Sequence, residues 1–148
     1  MKEIGKELSR QFFDTVNQFN KFDHASRNFG TDIILSLSEI HLIDFIGDHY
    51  GCCANEAAEG LGITKGAVSQ TLKSLLKLNF IERKPDKNNK SRFLLFLTDK
   101  GKTAYTEHKK YHENIESKIT AILSNFTNDD CDKTLYFLKE LENIFRNA

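Results

Sequence analysis

Residues 61–80, LGITKGAVSQTLKSLLKLNF, decide how the chain is read. Val68, Leu72 and Leu75 recur at helical spacing and, at about 100° per residue, point one way. Gly66, Ser69, Gln70, Lys73 and Lys77 point the other, so the polar face is small or basic and never acidic. Thr64 is placed to cap this helix, and Gly62 to turn the chain just before it. Such a face suits duplex DNA: glutamine bonds adenine edges, serine serves base or phosphate, and lysine reaches guanine or phosphate. Gly66 with Ala67 lets the helix start approach closely, and the helix N-terminus carries partial positive charge for a phosphate. The plainer alternative is a solvated helix face, and the flanking sequence weighs against it.

Upstream, ANEAAEGL reads as a short helix with a small inner face of Ala57, Ala58 and Leu61. Downstream, FIERK reads as a strand, PDKNNKS as a turn containing Pro85, and RFLLFLT as a returning strand. Helix, tight turn, helix and basic hairpin together make a helix-turn-helix with a wing. Lys87, Lys90 and Arg92 would reach the DNA backbone or minor groove beside the recognition helix. Charge follows the same division. Between Leu61 and Arg92 stand eight lysines and arginines against Glu82 and Asp86, a net +6 inside a chain of formal net charge zero. A basic segment therefore sits in an acidic frame.

Further out, Ile4, Leu8, Phe12, Val16 and Phe19 mark a long amphipathic first helix that RNFGTD is expected to end, with Gly30 as the stop. A second helix reads from about Ser38 to His49, carrying Ile40, Ile43 and Ile46. Thr98 in LTDKG caps another long helix with a stripe of Ile115, Ile119, Ile122 and Phe126. TNDD breaks that helix, and a last one carries Leu135, Leu138, Leu141 and Phe145. These terminal stripes are longer than one small core covers, and dimerisation would cover them. At 148 residues and 39% hydrophobic, the chain suits one domain with helical extensions. MKEIGKELSRQFF lacks an apolar core of signal-peptide length, and no window approaches a membrane span, so the expected location is cytoplasmic. Cys52, Cys53 and Cys131 provide neither an even disulfide framework nor a CxxC pair, which fits a reducing compartment.

The stretch NEAAEGLGITKGAVSQTLKSLLKLNFIERKPDKNNKSRFLLFLTDKG resembles the winged helix-turn-helix core of the MarR family of transcriptional regulators. The likeness extends over the flanking helices and so covers nearly the whole chain. It implies a mainly α fold with a small β-hairpin wing. It also implies one domain over 1–148, with 1–30 and 102–148 as dimerisation helices and 36–101 as the DNA-binding lobe. Family members are homodimers that present two recognition helices and two wings to a pseudo-palindromic site. One departure stands at the wing tip: the family usually carries an Asp and Arg pair where this chain has Asn89, Lys90 and Ser91.

EHKKYH places His108 and His112 one helical turn apart, a spacing that lets two imidazoles share a metal. The family's zinc-uptake repressors resemble this chain in carrying histidines where His41, His108 and His112 stand and an acidic residue where Asp23 stands. The resemblance thus implies a zinc site of Asp23, His41, His108 and His112. Their second zinc site is unmatched, with Phe29 and Ile40 where a thiol and a carboxylate are needed. SEIHLIDFIG with EHKKYH looks equally like the family's fatty-acid-synthesis repressors, which answer to acyl carrier protein. The effector is accordingly a small molecule, an acyl carrier or a metal. The plain reading of His41 is a half-buried histidine bonded to a neighbouring helix, and His24 and His49 read as surface groups. Oxidant-sensing relatives place their reactive cysteine in the first helix, where this chain has none, so Cys52, Cys53 and Cys131 read as packing residues.

Enzymatic readings fail on spacing. The glycines at 60, 62 and 66 form GxGxxxG after a helix, which is not a dinucleotide loop, and GKT at 101–103 lacks the phosphate-loop glycine because Phe96 stands there. No GxSxG, HExxH or HxE with CxxC occurs. The expectation is a DNA-binding repressor: Ser69, Gln70 and Lys73 at or near bases, Lys65 and Lys77 on phosphates with Thr64 and Gly66 at the helix start, and Lys87, Lys90 and Arg92 on the wing. The alternative from another class is a winged-helix adaptor that binds protein and no DNA.

Overall fold

A computed structural model describes residues 2–23, 25, 27–89 and 91–147. Lys90 and His24, read above as a wing contact and a surface group, lie outside the described residues. The element order is α1 (Lys2–Asp23), α2 (Leu37–Asp48), α3 (Ala54–Leu61), α4 (Lys65–Lys77), β1 (Ile81–Pro85), β2 (Phe93–Leu97), α5 (Asp99–Leu123) and α6 (Asn128–Arg146). The fold is mainly helical with one antiparallel hairpin. Two compact units divide the chain, 1–108 and 109–148, and α5 runs from the first into the second.

The first unit holds the core. Ile40, Leu42, Ile43 and Ile46 from α2, Ala57 and Ala58 from α3, and Val68, Leu72 and Leu75 from α4 are buried together. Leu35, Cys52, Phe80, Ile81, Leu95 and Ala104 complete that cluster. Each fully buried Leu, Ile or Phe contributes about 1.5–3 kcal/mol through lost apolar hydration. The small residues of α3 set its distance from α2: a Cβ on Gly60 would stand 2.2 Å from the Phe45 ring. A capping side chain ties α2 to α4. Glu39 accepts from the Ser36 amide at 2.9 Å with one oxygen and from the Ser74 hydroxyl at 2.7 Å with the other. Burial pushes the Glu39 carboxyl up, but these bonds outweigh it and hold the group below the usual carboxylate range.

The hairpin registers Ile81 with Leu97 and Pro85 with Phe93, and the Leu95 amide donates to the Cys52 carbonyl at 2.8 Å. That bond fastens β2 to the segment before α3. Thr98 fixes the root of the hairpin by donating to the Asn79 carbonyl at 2.7 Å while its oxygen accepts from the Gly101 amide at 3.1 Å. Gly101 itself lies against the chain end of the turn: a Cβ there would meet the Phe80 carbonyl oxygen at 2.0 Å.

α1 ends at Asp23, well before Gly30. The Arg27 guanidinium donates to the Phe22 carbonyl at 2.7 Å and to the Ala25 carbonyl at 2.8 Å, taking up acceptors at the end of the helix. Arg27 also forms an antiparallel bridge with Leu35. Gly30, at φ +72°, serves a turn in which Thr31 N donates to the Asn28 carbonyl, not the helix stop. The long terminal helices contrast with the core. α1 and α6 bury no residue, and Ile4, Leu8 and Phe19, like Ile122, Leu138 and Phe145, stand exposed in the single chain. TNDD is a start as well as a break: Thr127 caps α6 by accepting from the Asp130 amide at 3.2 Å.

Candidate nucleic-acid interface

α4 is the element the opening stretch describes. Thr64 caps it, its hydroxyl accepting from the Ala67 amide at 3.2 Å, and Gly62 makes the preceding turn at φ +64°. Val68, Leu72 and Leu75 face the core, while Lys65, Gly66, Ser69, Gln70, Lys73 and Lys77 are exposed. At Gly66 a Cβ would meet only the Thr64 hydroxyl, at 3.9 Å, so the start of the helix is open outward. This is one contiguous polar and basic strip on a rigid, buried-backed helix.

Beside it lies a cleft of about 1100 Å³ whose lining includes Ser69 and Lys73 of α4, Asn55 of α3, and Arg83, Ser91 and Arg92 of the hairpin. The hairpin carries its cations on its own aromatic side chains. Arg83 lies 5.0 Å from the Phe93 ring centroid and Lys84 5.0 Å from that of Phe96. Lys84 also bonds Glu82 at 2.7 Å, which raises its pKa. Lys87 is exposed in the turn.

Arg92 is placed differently from the other basic residues. Its Nη2 donates to Glu56 Oε1 of α3 at 2.9 Å, and its Nε stands 3.8 Å from Asp86 Oδ2. Glu56 serves a second purpose with its other oxygen, accepting from the Cys53 amide at 2.7 Å. The Cys53 amide first, and Arg92 after it, hold the Glu56 carboxyl below the usual range. Sequence reading missed Glu56 and Asp86 as partners. The spacing Cys53-x-x-Glu56 carries a capping-box signal, but the pairing with a residue 36 positions away has no local signature.

A second polar cluster joins α2 to the start of α5. His108 is 4% exposed, and its Nδ1 lies 3.1 Å from Asp44 Oδ1. The His41 and His108 ring centroids are 6.1 Å apart, and the Tyr105 hydroxyl donates to Asp48 at 2.7 Å. A carboxylate behind a buried imidazole is the arrangement that orients histidine metal ligands, and here a metal would bond Nε2. Of the four residues in the implied zinc set, the first unit holds Asp23, His41 and His108; His112 follows on α5 in the second. Among the described residues no group of three or more His, Cys, Asp and Glu side chains stands together as a metal site. Asp44 and Asp48 went unnoticed in the sequence. The cysteines take local positions: Cys52 is buried, Cys53 is the N-cap of α3, and burial pushes the Cys52 thiol up to about 11.

Three packed helices, a turn through Gly62 and a paired hairpin define a winged helix-turn-helix protein. Residues 35–90 match the MarR family profile. An uncharacterised HTH-type transcriptional regulator of Bacillus subtilis, YhjH, is 29% identical over 137 residues, covering 84% of this chain and 78% of its own. The structure of Lactococcus lactis ZitR in complex with DNA matches with a TM-score of 0.79 at 25% identity, covering 95% of this chain and 97% of that one. Streptococcus pneumoniae FabT, also solved with DNA, shares the fold with a TM-score of 0.71 at 24% identity over 99% of this chain and 97% of its own. Residues 35–90 thus carry the likeness to the MarR family, and the chain as a whole shares the winged helix-turn-helix fold of these solved proteins.

Proposed function

We propose that the chain binds duplex DNA as a homodimeric repressor whose hold on DNA an effector alters. The observation that carries this reading is the outward strip of Ser69, Gln70, Lys73 and Lys77, set across a cleft from the cationic hairpin. Ser69, Gln70 and Lys73 address base edges, Lys65 and Lys77 the phosphates at either end of α4, and Lys87 and Lys90 the backbone beside the wing. Thr64 and Gly66 keep the helix start within reach of a phosphate. The second copy covers the exposed apolar faces of α1, α5 and α6. Fluorescence anisotropy with a labelled mixed-sequence duplex tests the reading. Affinity falling steeply between low and moderate salt supports phosphate engagement, and absent or salt-independent binding overturns it in favour of a protein-binding adaptor. Footprinting on the protein's own upstream region then locates the preferred site.

A second reading, that the effector is zinc, draws on the paired imidazoles of His41 and His108 and the carboxylate of Asp44 behind them. ZitR is a zinc-responsive MarR family member. The proposed ligands are Asp23, His41 and His108, with His112 one turn further along α5. Bound zinc would supply a doubly charged crosslink between ligands on different helices. Protein loaded with zinc and desalted should retain metal, and chelator should shift its DNA affinity. Metal-free protein after loading, with DNA binding unmoved by chelator, removes zinc and leaves a small molecule or an acyl carrier as effector.

A further inference from the structure

We infer that Arg92 is a positioning residue: with Glu56 and Asp86 it latches the wing onto the start of α3, and it acts on DNA binding through the wing's angle instead of by touching DNA. The inference rests on the DNA-binding reading above and concerns one cation of the hairpin that the reading would otherwise count among phosphate contacts. Three observations carry it. The guanidinium donates to Glu56 of α3 and stands between that carboxylate and Asp86 of the wing turn. Backbone bonds converge on the same two wing residues: Asp86 N donates to the Arg92 carbonyl at 2.9 Å, and Arg92 N to the Asn89 carbonyl at 2.9 Å. Asp86 also accepts from the Asn88 amide at 2.9 Å, so the acidic end of the latch is built into the turn.

Glu56 is itself fixed, because its second oxygen bonds the Cys53 amide. The wing is thus referred to the α3 N-cap through one carboxylate and one guanidinium. α3 packs against α4, with Ala57 and Ala58 in the shared core, so the same path sets the wing beside the recognition helix. A guanidinium with two carboxylates around it is neutralised locally, which makes it a poor phosphate ligand and a good spacer.

The two roles predict opposite signs. If Arg92 contacts phosphate, Glu56→Gln removes a competing negative charge and should tighten DNA. If Arg92 is a latch, the same change should loosen it. Gln at this position still accepts from the Cys53 amide, so the helix cap survives and only the grip on Arg92 is lost. The experiment measures binding of Glu56→Gln, Arg92→Gln and the double variant to a duplex of about 30 base pairs, long enough for two half-sites a turn apart. Each variant is measured over a salt series, with amide hydrogen exchange of residues 86–92 recorded without DNA. Each single variant is expected to lose about threefold to fivefold in affinity, the range an exposed ion pair can pass on. The double variant should lose no more than either single, the salt slope should match wild type, and exchange in the wing should accelerate. Tighter binding by Glu56→Gln, a slope reduced by about 0.9 in Arg92→Gln, additive losses, or unchanged exchange would each overturn the latch. Wild-type protein that binds no duplex in the same assay fails the DNA-binding reading itself, while the exchange measurement still reports on the latch.

Discussion

The winged lobe and the terminal helices carry the same kind of apolar stripe and meet different fates. Val68, Leu72 and Leu75 on α4 are buried inside one chain, whereas Ile4 and Leu8 on α1 and Leu138 and Phe145 on α6 are exposed. Helical periodicity therefore identifies a face that must be covered but not what covers it. The lobe is self-sufficient through short loops and three mutually packed helices, while α1 and α6 present long apolar faces that the single chain leaves open.

The contrast can be broken most forcefully at Phe80, which is fully buried under the hairpin root. Phe80→Ala should cost about 3–5 kcal/mol in urea unfolding monitored by circular dichroism, at any protein concentration. Leu138→Glu tests the other side. Its effect should grow on dilution, raising the dimer dissociation constant by tenfold or more, as expected from about 1.5–3 kcal/mol for one covered leucine, in sedimentation equilibrium. A concentration-independent loss would place that face in a monomer core. On the outward face of α4, Gln70→Ala should relax sequence preference by about 1–3 kcal/mol at one base pair, read by competition with single-base operator variants. Lys77→Ala should weaken all duplexes alike and lower the salt slope by about 0.9. Thr64→Ala removes the α4 cap and should cost about 1 kcal/mol in the same unfolding assay.

A pH-dependent effect concerns Cys52. Its thiol is pushed up from 9.0 to about 11 by burial, with Glu56 and Cys53 adding to the shift. Burial thus disfavours the thiolate in the folded state, so this contribution is fully present below pH 9 and is lost as pH rises through about 11. Stability should slope downward over that window in wild type and less so in Cys52→Ala, measured by unfolding at stepped pH.

Element types were legible wherever period and punctuation agree. Thr64 and Thr98 cap helices as their positions imply, and β2 falls within RFLLFLT, whereas β1 runs one residue past FIERK to take in Pro85, which was read as turn, and Thr127 proves to be the cap of α6. The end of α1 was misread because its stop is made by Arg27 reaching back to Phe22 and Ala25, a side-chain act with no periodic trace. The outward strip of α4 was legible because a helix wheel needs only local sequence. The Glu56–Arg92 and His108–Asp44 pairs were not, because each joins residues 36 and 64 positions apart and depends on the finished packing. Charge sign alone placed Arg92 among basic contacts; geometry places two carboxylates around it.

Gly101 has a consequence for how this chain tolerates change. Since even a methyl group there would strike the Phe80 carbonyl, position 101 is closed to any side chain. An alanine at 101 would pry the first turn of α5 off the hairpin root, loosening the joint where β2 passes into the helix.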